Sequence, residues 1–124
     1  MNALRNIHSA LVPGGVLVDT QPVGIRPRVT VDGAEVGRLD MTEWISTISA
    51  VDARVADASE EGLFKIRHEQ FLVVTDSFED GRECLETVAR WRGTRVPDRL
   101  NRRLESAHGR VTVEQDVRLR LLHA

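Results

Sequence analysis

Hydrophobic positions at the start of the chain follow first a helical and then an extended period. Four residues are spaced as one face of a helix that packs on a core: Leu4, Ile7, His8 and Leu11. The segment 12–15, Val-Pro-Gly-Gly, ends this helix, because a proline disfavours the α conformation before it and glycine permits a reversal. Val16-Leu17-Val18 then predicts a short strand that is covered on both faces.

The middle of the chain predicts a β-hairpin followed by a helix. Apolar and polar residues alternate on both sides of Asp32-Gly33, and Asp-Gly suits a tight turn, so we expect a hairpin over residues 28–39. Asp40 with Glu43 three residues later forms the pattern of a capping box. The apolar spacing that follows predicts a helix that runs to about Ala58.

The last half of the chain alternates strands and short helices. Residues 64–78 are typical of an extended strand, whose centre is apolar on both faces. Acidic residues from Glu79 precede a helix with an apolar stripe, and Pro97 opens a second, arginine-rich helix. The final segment predicts a strand with one apolar face, made of Val111, Val113, Val117, Leu119 and Leu121.

The first of these segments resembles a known family. ALRNIHSALVPGGVLVDTQPV, residues 3–23, is similar to the helix, Pro-Gly-Gly turn and fifth strand of class I S-adenosylmethionine-dependent methyltransferases. The resemblance implies an α/β fold like the C-terminal half of a Rossmann-like methyltransferase. That fold is a small mixed sheet of about three long strands plus the hairpin, flanked by helices. It also implies that the final strand inserts antiparallel between the other two long strands.

The same resemblance implies that the cofactor half of the fold is missing. In this family the cofactor lies at the ends of strands that precede the matched unit, beside a glycine-rich turn and an acid for the ribose. The chain has no G-x-G-x-G pattern, and its Gly-Gly precedes a strand. We therefore expect no cofactor for the isolated chain, and S-adenosylmethionine only if an N-terminal half completes it. A sheet cut at this place exposes an edge or an apolar face, which predicts a homodimer or a second polypeptide.

Composition narrows the class of protein. The chain has 124 residues, 41% hydrophobic and 29% charged residues and a net charge of −2, which favours one domain over residues 1–124. This charge predicts no nucleic-acid partner, and no apolar run reaches the about 20 residues that span a bilayer, so we expect no membrane association. The N-terminus lacks the pattern of a secretory signal, so we expect a cytoplasmic protein.

Three residues near the first strand are candidates for ligand contact: Asp19, Gln21 and Arg26. Residues that follow a strand often contact ligands in α/β proteins, although Asp19 also suits a turn or a helix cap. These positions would form a pocket between two subunits. The sequence identifies no catalytic residue and no metal site.

Other reactive residue types have simpler interpretations. His8 lies on the apolar stripe and is expected to be half-buried rather than a ligand. His68 and Asp76 share one face of the long strand but lie about 26 Å apart in one chain, too far for an acid–base couple. Cys84, the single cysteine, excludes an intrachain disulfide and reads as a small buried hydrophobe.

Two functions follow from these observations. The first is an incomplete or non-catalytic methyltransferase-like domain, which acts as a dimerisation or interaction module or as the C-terminal portion of a methyltransferase. The alternative is a small stand-alone enzyme or ligand-binding homodimer with a pocket between its subunits. Whether the chain is an enzyme stays open at this point, and we expect the isolated chain to be inactive in methyl transfer.

Overall fold

The computed structural model describes residues 3–124. The described residues form four α-helices, one short 3₁₀ turn and five strands. In chain order these are α1 (Ala3–Ala10), β1 (Val16–Pro22), β2 (Arg28–Val31), β3 (Ala34–Arg38), the 3₁₀ turn (Thr42–Trp44), α2 (Ile45–Glu60), β4 (Lys65–Phe78), α3 (Gly81–Val88), α4 (Asp98–Glu105) and β5 (Val111–His123). None of these helices combines the length and the apolar character that a membrane crossing requires.

The last strand, β5, is the centre of the sheet. β4 pairs along one whole edge of β5, whereas β1 and β2 share the other edge end to end, and β3 pairs with β2. The predicted position of the final strand, antiparallel and between the two other long strands, is confirmed. The prediction of a mixed sheet is wrong, because every neighbouring pair of strands is antiparallel. β1, β2 and β4 share a direction, but β5 lies between β4 and the other two.

The predicted hairpin over residues 28–39 is confirmed as β2 and β3. Asp32 and Gly33 form its turn with φ angles of 49° and 85°, as a type I′ turn requires. The carboxylate of Asp32 also accepts a hydrogen bond from the backbone N–H of Arg110, which ties the turn to the start of β5.

The predicted capping box before α2 is wrong. The Asp40 carboxylate accepts hydrogen bonds from the backbone N–H and the hydroxyl of Thr42, while the Asp40 N–H donates to the carbonyl of Arg95. The N–H of Asp40 is therefore not available to the Glu43 carboxylate, and a 3₁₀ turn precedes the α-helix. The carboxylate shapes a local turn instead of capping the helix directly.

The two last helices cover one face of the sheet. Asp80 caps α3 by accepting a hydrogen bond from the backbone N–H of Glu83 at 2.9 Å, and Pro97 precedes α4 as predicted. Gly81 packs closely against the backbone of Leu104, so the two helices lie in direct contact. Their buried cluster consists of Val29, Leu39, Phe78, Cys84, Val88, Leu100, Leu104, Val111 and Val113.

A second buried cluster lies on the opposite face, at the other end of β5. It consists of Val55, Ala58, Phe64 and Leu122, with Leu17 of β1 and residues of α1 and α2 packed against it. His8 is half-buried as expected, and its ring contacts the Phe64 ring edge-to-face at 5.5 Å between centroids. Because Leu122 and Val113 differ in strand parity, the core changes faces along β5.

The prediction that β1 is covered on both faces is wrong. Leu17 packs on the second cluster, but Val16 and Val18 are exposed, Val18 by 56%. Their neighbours in β5 and β4 continue the same surface, and none of them belongs to either buried cluster. We call this surface the open face; its residues are Val16, Val18, Leu72, Val74, Val117, Leu119 and Leu121.

Candidate functional site

A buried ion pair joins the middle of β1 to β5. The Nε and Nη2 atoms of Arg120 donate to one carboxylate oxygen of Asp19 at 2.9 and 2.7 Å. The two residues lie opposite each other in the strand register, and the Arg120 side chain is 8% exposed. Because both side chains are largely removed from water, each charge is stabilised mainly by the other.

Helix α2 adds a second carboxylate to the pair. Asp52 accepts hydrogen bonds from Arg118 and, at 3.3 Å, from Arg120. Gln21 donates to the Asp19 carboxylate at 3.2 Å, and its own side-chain carbonyl oxygen is buried with no hydrogen-bond partner among residues 3–124. We call these five residues, Asp19, Gln21, Asp52, Arg118 and Arg120, the polar cluster.

The charges of the polar cluster compensate one another. Two guanidinium groups face two carboxylates, so the cluster is neutral overall. The predicted candidates Asp19 and Gln21 are therefore brought together, but Asp19 lies inside β1 and not after it, because the strand continues to Pro22. Their role in ligand contact stays a prediction, while their contacts here join β1, β5 and α2.

Arg26 lies apart from this cluster. It is exposed in the loop before β2, where its backbone carbonyl accepts a hydrogen bond from Arg38 at 3.4 Å. The pKa of Asp40 is lowered chiefly by the two hydrogen bonds from Thr42, and the positive charges of Arg95 and Arg26 add to this effect. The third predicted contact residue thus lies near Asp40 and not with Asp19 and Gln21.

The sequence reasoning missed three members of the polar cluster. Arg118 and Arg120 of the last strand and Asp52 of the helix after the hairpin were not among the predicted contact residues. The available signal was Asp19 directly after the apolar run Val16 to Val18, because a carboxylate in a buried strand requires a paired cation. It did not say which arginine lies opposite, because that depends on the register of β1 against β5.

An apolar cavity of about 290 Å³ lies beside β1, next to the polar cluster. α1 and α2 form its walls, with Leu4, Ile7, Val51 and Val55 among the lining residues. Asp19 and Arg54 are its charged lining residues. In the described part of the chain, β1 pairs with β5 alone, so the edge beside this cavity has no strand partner.

Cys84 has the environment of a structural residue. Its side chain is fully buried in the first cluster, and burial, reinforced by the negative charge of Glu83, raises the pKa of the thiol to about 11. The thiol is therefore protonated at neutral pH, as a small buried hydrophobe should be.

β4 carries several exposed apolar side chains, among them Phe71, the most exposed large apolar residue of the sheet. Phe71 and Val73 are 63% and 52% exposed, and Val74 on the other face is 40% exposed. Within residues 3–124 the strand pairs with β5 on one side and with no strand on the other. We call its unpaired side the β4 edge, and it runs over 14 residues.

Comparison with known proteins adds no family to this description. No protein-family model, curated protein or solved structure matches the chain. Over the described residues, no group of three or more His, Cys, Asp or Glu side chains is placed to hold a metal ion. The arrangement of surfaces is therefore the basis for a proposal on function.

Proposed function

We propose that this chain is an interaction domain that acts by binding a second copy of itself. The observation that carries the proposal is β4, a long strand with an apolar centre exposed at the margin of the sheet. An unpaired strand edge offers backbone N–H and C=O groups to any matching strand, and natural proteins usually shield such an edge. The exposed apolar residues at the centre of β4 favour an edge that pairs with a partner strand over an edge that is shielded from pairing.

The polar cluster supports an architectural role. Asp19 and Arg120 satisfy each other, and Asp52 also binds both arginines. Charged groups that are paired in this way hold two strands and a helix in one arrangement. Because these carboxylates bind arginines within the chain, we assign the binding role to the exposed surfaces of the sheet.

Light scattering across a range of protein concentrations tests the proposal. We expect a mass that approaches twice the 13.9 kDa of the chain at micromolar concentration. A mass of one chain throughout the accessible range would refute self-association.

A second candidate function is the C-terminal portion of an S-adenosylmethionine-dependent methyltransferase. Two observations favour it: the position of β5 between β1 and β4, and the unpaired outer edge of β1 beside an apolar cavity. On this proposal, a polypeptide with the glycine-rich turn adds strands at β1 and supplies the cofactor contacts, and the open face is part of the joined surface.

Calorimetric titration with S-adenosylmethionine separates the two candidates. If the chain is an interaction domain, we expect no heat of binding when S-adenosylmethionine is added to the chain alone. Micromolar binding by the chain alone would contradict the interaction domain and favour a methyltransferase-related activity. Binding that appears only after addition of a glycine-rich partner would support the second candidate in its split form.

A further inference from the structure

The centre of the β4 edge, from Gln70 to Val74, lacks the charged residues, prolines and bulges that usually prevent pairing. Its central residues, from His68 to Phe78, form a regular ladder with β5, and the one irregularity lies between Ile66 and His68. There is no proline in the strand, and Lys65 lies at its first position instead of its centre. The edge is thus regular where it is most apolar.

Charge is distributed unequally along this strand. Three basic groups, Lys65, Arg67 and His68, and one acidic group, Glu69, lie at its beginning, and an acidic group, Asp76, lies near its end. Glu79 and Asp80 continue the acidic end. An antiparallel pair of β4 strands brings the basic end of each against the acidic end of the other, whereas a parallel pair brings like charges together.

We propose that two copies of this chain join through antiparallel pairing of their β4 edges, with Leu72 on the two-fold axis. The inference rests on the proposed function, since it specifies the partner and register of that self-association. A two-fold axis makes the contact isologous, so both copies contribute the same residues. A residue that precedes Leu72 by a given number of positions lies opposite the residue that follows Leu72 of the second copy by the same number. Two five-stranded sheets then form one continuous sheet.

A contact between His68 and Asp76 selects the centre of the pair, because an imidazole N–H can donate a hydrogen bond to a carboxylate. With Leu72 at the axis, His68 lies opposite Asp76 of the second copy, and Phe71 lies opposite Val73. A shift of the axis to Phe71 places His68 opposite Val74 instead, and a shift to Val73 places it opposite Phe78. The same-face spacing of His68 and Asp76, too wide for contact in one chain, becomes a pair of contacts between two chains.

The pairing also covers apolar surface on both sides of the sheet. Phe71 and Val73 lie on the face of Arg118 and Asp116, their partners in β5. Leu72 and Val74 lie on the open face. Side chains of a second β4 beside these residues remove them from water, which gives the contact a hydrophobic component in addition to its backbone hydrogen bonds.

Disulfide cross-linking of the full chain tests the register. Residues on the axis of an antiparallel pair have Cα atoms about 4.5–5.5 Å apart, within disulfide range. We expect Leu72→Cys to form a covalent dimer under mild oxidation, or the double variant Phe71→Cys/Val73→Cys to do so if the hydrogen-bonded position resists closure. Native Cys84 is buried and does not compete.

Val74→Cys is the matched control on the same strand and face. Two residues from the axis, its copies lie about 13 Å apart in the paired strands, beyond disulfide reach. Cross-linking of Val74→Cys as readily as Leu72→Cys, or failure of both axis variants, would overturn the register. A dimer mass without axis cross-linking refutes this inference alone, whereas a monomer refutes the proposed function as well.

A charge exchange gives an independent test. Asp76→Lys places a cation opposite His68 twice in each dimer, so we expect its dissociation constant to rise about tenfold. His68→Asp combined with Asp76→Lys places a carboxylate opposite the new ammonium group and should return most of the affinity. Failure of the double variant to recover affinity over Asp76→Lys alone would contradict the pairing.

Discussion

Arg120 donates two hydrogen bonds to the same carboxylate oxygen of Asp19, across two antiparallel strands and in a nearly buried position. The contact fixes the lateral position of β1 against β5, since a shift by one residue would turn one of the two side chains to the opposite face. It also places Asp52 of α2 over the same pair. The charged residues thereby determine how the first strand meets the last.

Removal of Arg120 should destabilise the chain strongly. Arg120→Met leaves the Asp19 carboxylate buried with no cation opposite it, and we expect the free energy of unfolding to fall by about 3–5 kcal/mol. Urea denaturation followed by circular dichroism measures the change.

The exposed pair of Arg82 and Glu86 provides the control for this substitution. Arg82→Met breaks an ion pair on the surface of α3 and should change the stability by less than about 0.5 kcal/mol. Asp19→Leu combined with Arg120→Met should be less damaging than Arg120→Met alone, because neither charge is then left unpaired. Equal effects for Arg120→Met and Arg82→Met would contradict the role assigned to the polar cluster.

Local patterns predicted the elements of the fold well. The Asp32-Gly33 hairpin, the strand predicted over 64–78 and found over 65–78, and the helix after the acidic residues from Glu79 depend on neighbouring residues, so the sequence was sufficient for them. The antiparallel position of β5 came from the methyltransferase resemblance, not from periodicity. The change of core face along β5 was missed, because it depends on where the helices lie and not on alternation within the strand.

The contact between α3 and α4 should not tolerate a side chain at Gly81. A Cβ atom at this position would lie 1.8 Å from the carbonyl oxygen of Leu104, which is backbone and cannot rotate away. We expect Gly81→Ala to lower the free energy of unfolding by about 1–3 kcal/mol or more. Thermal unfolding should show the loss as a lower midpoint.

Gly24→Ala is the matched control for the helix contact. A Cβ at Gly24 meets nothing within 4 Å, so the Gly24→Ala variant should be about as stable as the unaltered chain. If Gly81→Ala were as stable as Gly24→Ala, the close packing of the two helices would be wrong.

The buried thiol of Cys84 gives a pH dependence of known sign. Its pKa is raised from 9.0 to about 11 in the folded chain, so the folded state holds the proton more tightly than the unfolded state. The stabilisation is complete below pH 9 and falls as the pH rises from 9 towards 11. Cys84→Ala should lose less stability over this interval, as urea titrations at each pH would show.

The reactivity of the thiol checks the same environment at neutral pH. A thiol reagent should modify Cys84 slowly in the folded chain and rapidly after denaturation, because the thiolate is rare and the side chain is fully buried. Rapid modification of the folded chain would contradict both the burial and the direction of the pKa shift.

The candidate site was only partly accessible to sequence reasoning. Asp19 and Gln21 were identified, but their partners Arg118, Arg120 and Asp52 come from distant segments and depend on strand register. The exposure of β4 was not visible at all, since an apolar run such as Phe71 to Val74 has the same pattern in a central strand as in a marginal one. Its place in the sheet is a property of the whole fold.

Sedimentation equilibrium of the full chain and of Val73→Lys shows whether two copies associate through the β4 edge. A lysine in the centre of the β4 edge should oppose pairing, whereas Ile45→Lys, at an exposed apolar position of α2, serves as the control. We predict a mass of twice 13.9 kDa for the unaltered chain and for Ile45→Lys, and 13.9 kDa for a folded Val73→Lys. A single-chain mass for the unaltered protein would rule out self-association, and a dimer that Val73→Lys leaves intact would rule out the β4 edge as its interface.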